Sequence, residues 1–171
     1  RDNSNMNNFT LSGGSSMDTF TLSSSSIMGG FTLSDGSYMG GFTLSSSIMG
    51  SFTLRSSSMG NFTLRDNSNM NNFTLSGGSS MVSFTLSSSS NMNNFTLSGS
   101  SMGTFTLSGG SSMVSFYLIF QNLTKFEIQS AQVYTFDSTI ALVMFGTYTK
   151  TITAREDLTP RISYIDNSDS L

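Results

Sequence analysis

Cysteine, histidine and tryptophan are absent from this chain, and proline occurs once, at Pro160. Without cysteine there is no disulfide framework and no thiolate metal site. Without histidine no imidazole is present to activate one of the many serines, which removes the usual route to nucleophilic catalysis. Charge is scarce too. Seven Lys and Arg against ten Asp and Glu leave a net charge of −3 on 171 residues. So few and so scattered cations exclude a basic face for nucleic acid. No apolar run is long enough to cross a bilayer as a helix, so no membrane partner is expected. Metal binding by oxygen ligands is not expected either. Asp2-Asn3-Ser4-Asn5 and Asp66-Asn67-Ser68-Asn69 have the look of calcium loops, but both lack the closing bidentate Glu. No cofactor is expected.

What the chain does have is a short period. Phe9, Phe20, Phe31, Phe42, Phe52, Phe62, Phe73, Phe84, Phe95, Phe105 and Phe116 follow one another at intervals of 10 or 11 residues. Each is preceded three positions earlier by a Met, from Met6 to Met113, and Met144 alone falls outside the scheme. The unit is M-x-x-F-T-L, and a fixed short period predicts a stacked architecture. Low charge with abundant Gly and Ser otherwise suggests a linker, but linkers lack regularly spaced aromatics. The core of the repeat never changes length. Insertions fall in the Ser/Gly/Asn stretch after Leu, which therefore reads as a corner. The pairs between Met and Phe, such as Gly-Gly and Asn-Asn, read as a second, tight corner. Residues 1–17 and 65–81 are identical, RDNSNMNNFTLSGGSSM, as a recent duplication leaves them. The sequence opens at Arg1 inside a repeat, so a fragment, a processed product or the ordered part of something longer is expected.

A helix does not fit, because Met, Phe and Leu at i, i+3 and i+5 do not form one helical stripe. Phe-Thr-Leu-Ser alternates apolar and polar, as a strand with one buried face does. The fold class expected is all-β, a repetitive β-solenoid or triple-stranded β-helix. Stacking places Met59, Phe62, Leu64, Met70, Phe73, Leu75, Met81, Phe84 and Leu86 in a central core. It places Thr53, Thr63, Thr74, Thr85 and Thr96 in outward ladders about 4.8 Å apart. A coil of one repeat buries too little to offset the entropy of ordering it. Either two repeats make one coil of about 21–22 residues, or several chains wind together. Both arrangements stay open at this point.

Composition shifts near residue 116. Ten of the 17 charged residues lie beyond it, and longer β-type runs replace the Ser/Gly corners. The expected division is a β-repeat shaft over 1–116 and a C-terminal β cap or tip over 117–171. With its Gly/Ser/Asn corners, short alternating strands, one-residue loop tolerance and distinct final segment, the chain resembles the β-structured shafts of trimeric fibres. Bacteriophage tail fibres and some bacterial adhesins are of that kind. The resemblance implies an extracellular or virion-tail location, self-association as a homotrimer or a polymer, and a C-terminal end that binds a host-surface receptor or glycan. Tyr134, Phe136, Tyr148 and Tyr164 are the candidate contacts at that end, since aromatic residues favour interfaces.

Other readings are weaker. A Ser–Lys pair would need Lys125 or Lys150, each in an alternating β-type run where a solvated lysine is the ordinary outcome. Glu127, Asp137, Glu156 and Asp157 are the acids available for a carboxylate pair, but Glu156 and Asp157 are adjacent and on a strand face opposite ways. Catalysis is not expected. Sequons occur at Asn8, Asn61, Asn72, Asn94 and Asn122, the first four only because Asn happens to precede Phe-Thr. The Thr-x-Ser ranks also resemble the faces of ice-binding solenoids, with the Ser rank broken by Arg55 and Arg65. The expected functions, in order, are a phage tail-fibre or tail-spike component, a bacterial fibre or adhesin, and an ice-binding protein.

Overall fold

The structure is a computed structural model. It describes residues 3–119, 122–128 and 132–138, with side chains described over 3–115. Thirteen strands follow one another in the chain, and no helix occurs among the described residues. They are β1 (Asn5–Leu11), β2 (Ser16–Leu22), β3 (Ile27–Ser34), β4 (Tyr38–Ser45), β5 (Ile48–Arg55), β6 (Ser58–Arg65) and β7 (Asn69–Ser76). They continue as β8 (Ser80–Leu86), β9 (Asn91–Ser98), β10 (Ser101–Leu107), β11 (Ser112–Ile119), β12 (Asn122–Ile128) and β13 (Gln132–Ser138). Odd strands make one parallel sheet, in the order β1-β3-β5-β7-β9-β11-β13. Even strands make the other. Two repeats thus complete one coil, and equivalent residues of successive coils lie 20 to 22 positions apart. The protein is a two-sheet β-solenoid, and one chain closes each coil by itself.

Register is fixed by like on like. Met28 pairs with Met49, Phe31 with Phe52, Thr32 with Thr53 and Leu33 with Leu54. The other sheet repeats the pattern from Met39 and Met59 onward. A slip of one residue would turn every ring outward, so the buried face enforces this alignment. Met59, Phe62, Leu64, Met70, Phe73, Leu75, Met81, Phe84 and Leu86 are all between 0% and 4% exposed. The rings form one zigzag column. Within a sheet they stack nearly flat, as Phe62 does on Phe84 with centroids 5.2 Å apart and planes 2° from parallel. Across the coil they meet edge to face, as Phe62 meets Phe73 at 4.9 Å and 69°. Both arrangements suit the aromatic quadrupole.

Met and Phe are three residues apart, which in a regular strand puts them on opposite faces. The register shows how both come to point inward. It pairs Met6 with Met28 and Asn8 with Gly30 but skips Asn7 and Gly29. One residue per repeat is bulged out, and parity is restored. The Met–Phe step is therefore a kink inside one continuous strand and not the tight corner expected from its Gly-Gly and Asn-Asn pairs.

The corner after Leu is built from left-handed residues. Repeats of eleven carry two of them, such as Ser24 and Ser25 or Gly77 and Gly78. Repeats of ten carry one, such as Ser46, Ser56 or Gly99. Corners of both lengths still meet through one backbone bond. The Gly78 N–H donates to the Gly99 carbonyl at 2.9 Å, joining a two-residue corner to a one-residue corner.

A further row escaped the sequence reading. The residue two before each Met is always Ser, from Ser4 to Ser111. From Ser26 to Ser111 these serines are buried, at 7% exposure or less. The Ser47 N–H donates to the Ser68 hydroxyl of the next coil at 3.2 Å, and that hydroxyl donates to the Arg65 carbonyl at 2.6 Å. Ser26, Ser79 and Ser100 repeat the arrangement, accepting from the amides of Ser4, Ser57 and Ser79 and donating to the carbonyls of Ser23, Ser76 and Ser98. A small residue that both donates and accepts closes the coil without leaving a buried amide unsatisfied.

The change of composition at residue 116 does not interrupt the sheets. Phe105 registers with Phe126, and Phe116 with Phe136, on parallel strands. The backbone ladder runs through to Ser138.

Candidate functional site

The side faces carry hydroxyls. In one sheet Thr10, Thr32, Thr53, Thr74 and Thr96 are in register. In the other Thr21, Thr43, Thr63, Thr85 and Thr106 are. Thr53, Thr63, Thr74, Thr85 and Thr96 are half-buried by their ladder neighbours. Arg55 and Arg65 interrupt the adjacent Ser rank, one on each sheet. Arg65 Nη1 lies 3.3 Å from Asp66 Oδ2, and both side chains are well exposed. Such a pair contributes little to stability. Asp66 also accepts from the Ser45 hydroxyl at 2.7 Å.

Chemistry-bearing groups are few and apart. Over 3–115 the acids are Asp18, Asp35 and Asp66. Asp18 sits in the kink of β2. Asp35 and Asp66 sit in left-handed corners that follow strands of different sheets. No group of three metal-ligating side chains occurs among the described residues. The Asp66–Asn69 segment is spent on structure: Asp66 and Asn67 are left-handed, Ser68 is in the buried row, and Asn69 Oδ1 accepts from Asn91 Nδ2 at 3.2 Å. Lys125, Glu127 and Asp137 register with Thr104, Thr106 and Tyr117. Lys150, Glu156 and Asp157 lie outside the described residues.

Of the candidate contacts at the C-terminal end, Tyr134 and Phe136 are on β13, and Phe136 occupies the register position of the array phenylalanines. Tyr148 and Tyr164 lie outside the described residues. Apolar side chains on the outer faces are separate: Ile27 beside Ile48 at the start of β3 and β5, Tyr38 at the start of β4, and Val82 and Val114 in kinks.

The arrangement changes at the first coil. There Met6, Phe9, Leu11, Met17 and Phe20 are only partly buried, while their counterparts in every later described coil are closed off. Strands β1 and β2 stand at the ends of their sheets, each with one edge unpaired among the described residues. Neither carries a proline or a lysine, and Asp18 is their one charge. These devices are the ones that natural edges use against pairing, and here they are nearly missing.

Strand β1 also opens with Asn5-Met6-Asn7-Asn8, and those three amides are exposed. Where two such strands stack, in β7 and β9, the amides pair rank by rank. Asn91 Nδ2 donates to Asn69 at 3.2 Å, Asn93 Nδ2 to Asn71 at 3.2 Å, and Asn94 Nδ2 to Asn72 at 2.9 Å. The sequence reading passed over this end. The signal was the duplication: residues 1–17 repeat residues 65–81, so one stretch of sequence occurs once at an edge and once between two covering coils. No family model, curated protein or solved structure matches this chain.

Proposed function

We propose that this chain is a non-enzymatic structural unit of an extended extracellular fibre. The observation that carries the reading is the unbroken in-register stack, in which the repeated Met, Phe and Leu are committed to the core and the described faces are dominated by small hydroxyls and amides, with only scattered apolar and charged side chains among them. Closure of each coil within one chain removes the reason for winding three chains together, so the homotrimer loses its main argument. Two repeats per coil and about 4.8 Å per coil make the described solenoid about 30 Å long. Single-chain closure favours the polymeric fibre or adhesin over a trimeric tail-fibre shaft. Presentation of a receptor- or glycan-binding end by residues beyond 116 remains part of the proposal; Tyr134 and Phe136 themselves belong to β13, the last described strand of the ladder.

Electron microscopy and fibre diffraction of the purified chain test it. Extended particles with a 4.8 Å repeat along their long axis are expected. Particles of a single coil stack at every concentration would sink the reading. The ordered threonine ranks support ice binding as a second reading, and a measurement of thermal hysteresis decides it: none is expected of a fibre unit.

A further inference from the structure

We infer that the outer face of the odd-numbered sheet is a lateral contact, and that its occupant is a second copy of this chain lying alongside and running in the same direction. The inference rests on the fibre reading and adds a side-by-side contact to it. The two sheets differ outside where they agree inside. Both carry the same Met, Phe and Leu ranks in the core. On the odd sheet the residue before Met is Asn or Ile in every strand from β1 to β9. On the even sheet it is Ser in every strand from β2 to β10 except β4, which has Tyr38. The fold does not ask for this difference, since either residue type sits outside the core. Ile27 and Ile48 are 46% and 49% exposed and adjacent in register. The amides of β7 and β9 are held in three ranks by their hydrogen bonds to one another. Arg55 is the one charged residue on β1, β3, β5, β7 and β9, so almost nothing on this face repels a like surface.

The face is also flat and large enough. From Phe31 to Phe105, successive rings of one sheet lie within 1° to 5° of parallel. Rings of opposite sheets cross at 67° to 76° over the same stretch. The two sets of rings therefore cannot both lie square to the stacking axis, and inclined rings would turn with a twisting sheet. Open sheets turn by about 20–25° per strand, and this one turns far less. Strands β1 to β11 of the odd sheet are seven or eight residues long. They span a face of about 25 Å by 28 Å, roughly 700 Å², close to the ~800 Å² that each partner buries in a standard stable interface. A flat surface with a row about every 4.8 Å is matched along its whole length by another of the same period, and a second copy has that period. A half-turn about the solenoid axis keeps each coil of the copy at its own height and sets strand starts against strand ends. The ranks of Asn69 and Asn72 then face those of Ser76 and Thr74, amide against hydroxyl, and Ile48 faces the aliphatic stem of Arg55. A copy running the other way would set the isoleucines of β3 and β5 against the amides of β7 and β9.

The test uses the full chain. Sedimentation equilibrium across a concentration series is expected to show dimers or higher multiples. The double variant Thr53→Lys, Thr74→Lys places two charges on the odd face. Thr63→Lys, Thr85→Lys places the same two at the equivalent, equally half-buried positions of the even face. The odd-face variant is expected to weaken association at least tenfold and the even-face variant to leave it unchanged. Far-UV circular dichroism checks that both keep the β-signal. Should the odd-face variant fail to fold, the absence of native cysteine supplies a milder probe. With a short thiol crosslinker, Thr74→Cys is expected to give covalent dimers and Thr85→Cys none. A chain that stays monomeric overturns the inference, as does association weakened equally by both variants, by neither, or by the even-face variant alone. Fibres whose mass per length is the same with and without the odd-face substitutions would sink the lateral contact and leave the fibre reading intact. Side-by-side dimers that never extend would do the reverse.

Discussion

Phe62 touches four other rings, two stacked in its own sheet and two edge-on across the coil. Removing it empties a volume that neighbours on a fixed 4.8 Å ladder cannot collapse to fill. Phe62→Ala is expected to cost about 3–5 kcal/mol in urea unfolding. Thr63→Ser, next in sequence but on the outer face, is expected to cost well under about 1 kcal/mol, a β-propensity effect only. Equal midpoints would mean that inside and outside are misassigned. Ser68 poses a subtler case. Its hydroxyl serves the buried Ser47 amide and the Arg65 carbonyl together. Ser68→Ala changes almost no apolar contact yet strands a buried N–H, so a loss of about 1–3 kcal/mol is expected. Hydrogen exchange at the Ser47 amide should quicken in that variant. A serine worth no more than its neighbours would leave both readouts where they were. The core residues were legible from the sequence because burial and periodicity are the same fact for Met, Phe and Leu. Ser68 was not, because serine is an ordinary surface and turn residue. The clue lay in its constancy: eleven repeats vary the residues around it and never the Ser two before Met.

At the scale of one strand and its corner, length tolerance has a geometric rule. A corner takes one or two left-handed residues, and the ladder around it is the same. Deleting Ser89 turns a two-residue corner into the one-residue kind already present at Ser46 and Gly99. The expected loss is about 1 kcal/mol or less, the scale of one local backbone adjustment. Deleting Thr96 removes a residue from the strand itself. Phe95 and Leu97 then become adjacent, and one of them must face water. That variant is expected to lose about 3 kcal/mol or more, or to fail to fold, and thermal melts of the pair separate the two outcomes. If both deletions cost the same, the corner is not the elastic part of the repeat. The sequence showed where insertions fall but not the left-handed backbone beneath them, because serine carries six of those positions as readily as glycine carries others. It also suggested a corner between Met and Phe. Two residues there look like a turn, whereas in the stack they form a kink that keeps both apolar groups on one side. The continuation past residue 116 was hidden for a related reason. Leu123 and Val133 stand in register with Met102 and Met113, so the spacing survives while the letters change.

For the whole molecule, the two sheets are physically interchangeable over the array. Stacking distances agree, 5.2 Å for Phe62 on Phe84 in one sheet and 5.1 Å for Phe73 on Phe95 in the other. The crossings from one sheet to the other agree too, at 4.9 Å for Phe62 with Phe73 and for Phe73 with Phe84. The repeats also use the same kink on both sides, and corners of both lengths follow strands of either sheet. A solenoid of this kind gains stability by adding units, each contacting only its neighbours. Inserting a second copy of residues 79–89 after Ser89 adds half a coil and moves every later strand to the opposite sheet. Inserting two copies adds a whole coil and moves none. Because neither sheet is special, both insertions are expected to fold, with the urea midpoint no lower than that of the parent and the slope rising with the area buried. The two-copy chain should lengthen by about 4.8 Å in small-angle scattering. A half-coil insertion that unfolds while the whole-coil insertion folds would show that the strands after residue 116 demand a particular sheet. The array would then be built outward from that end and not a uniform stack.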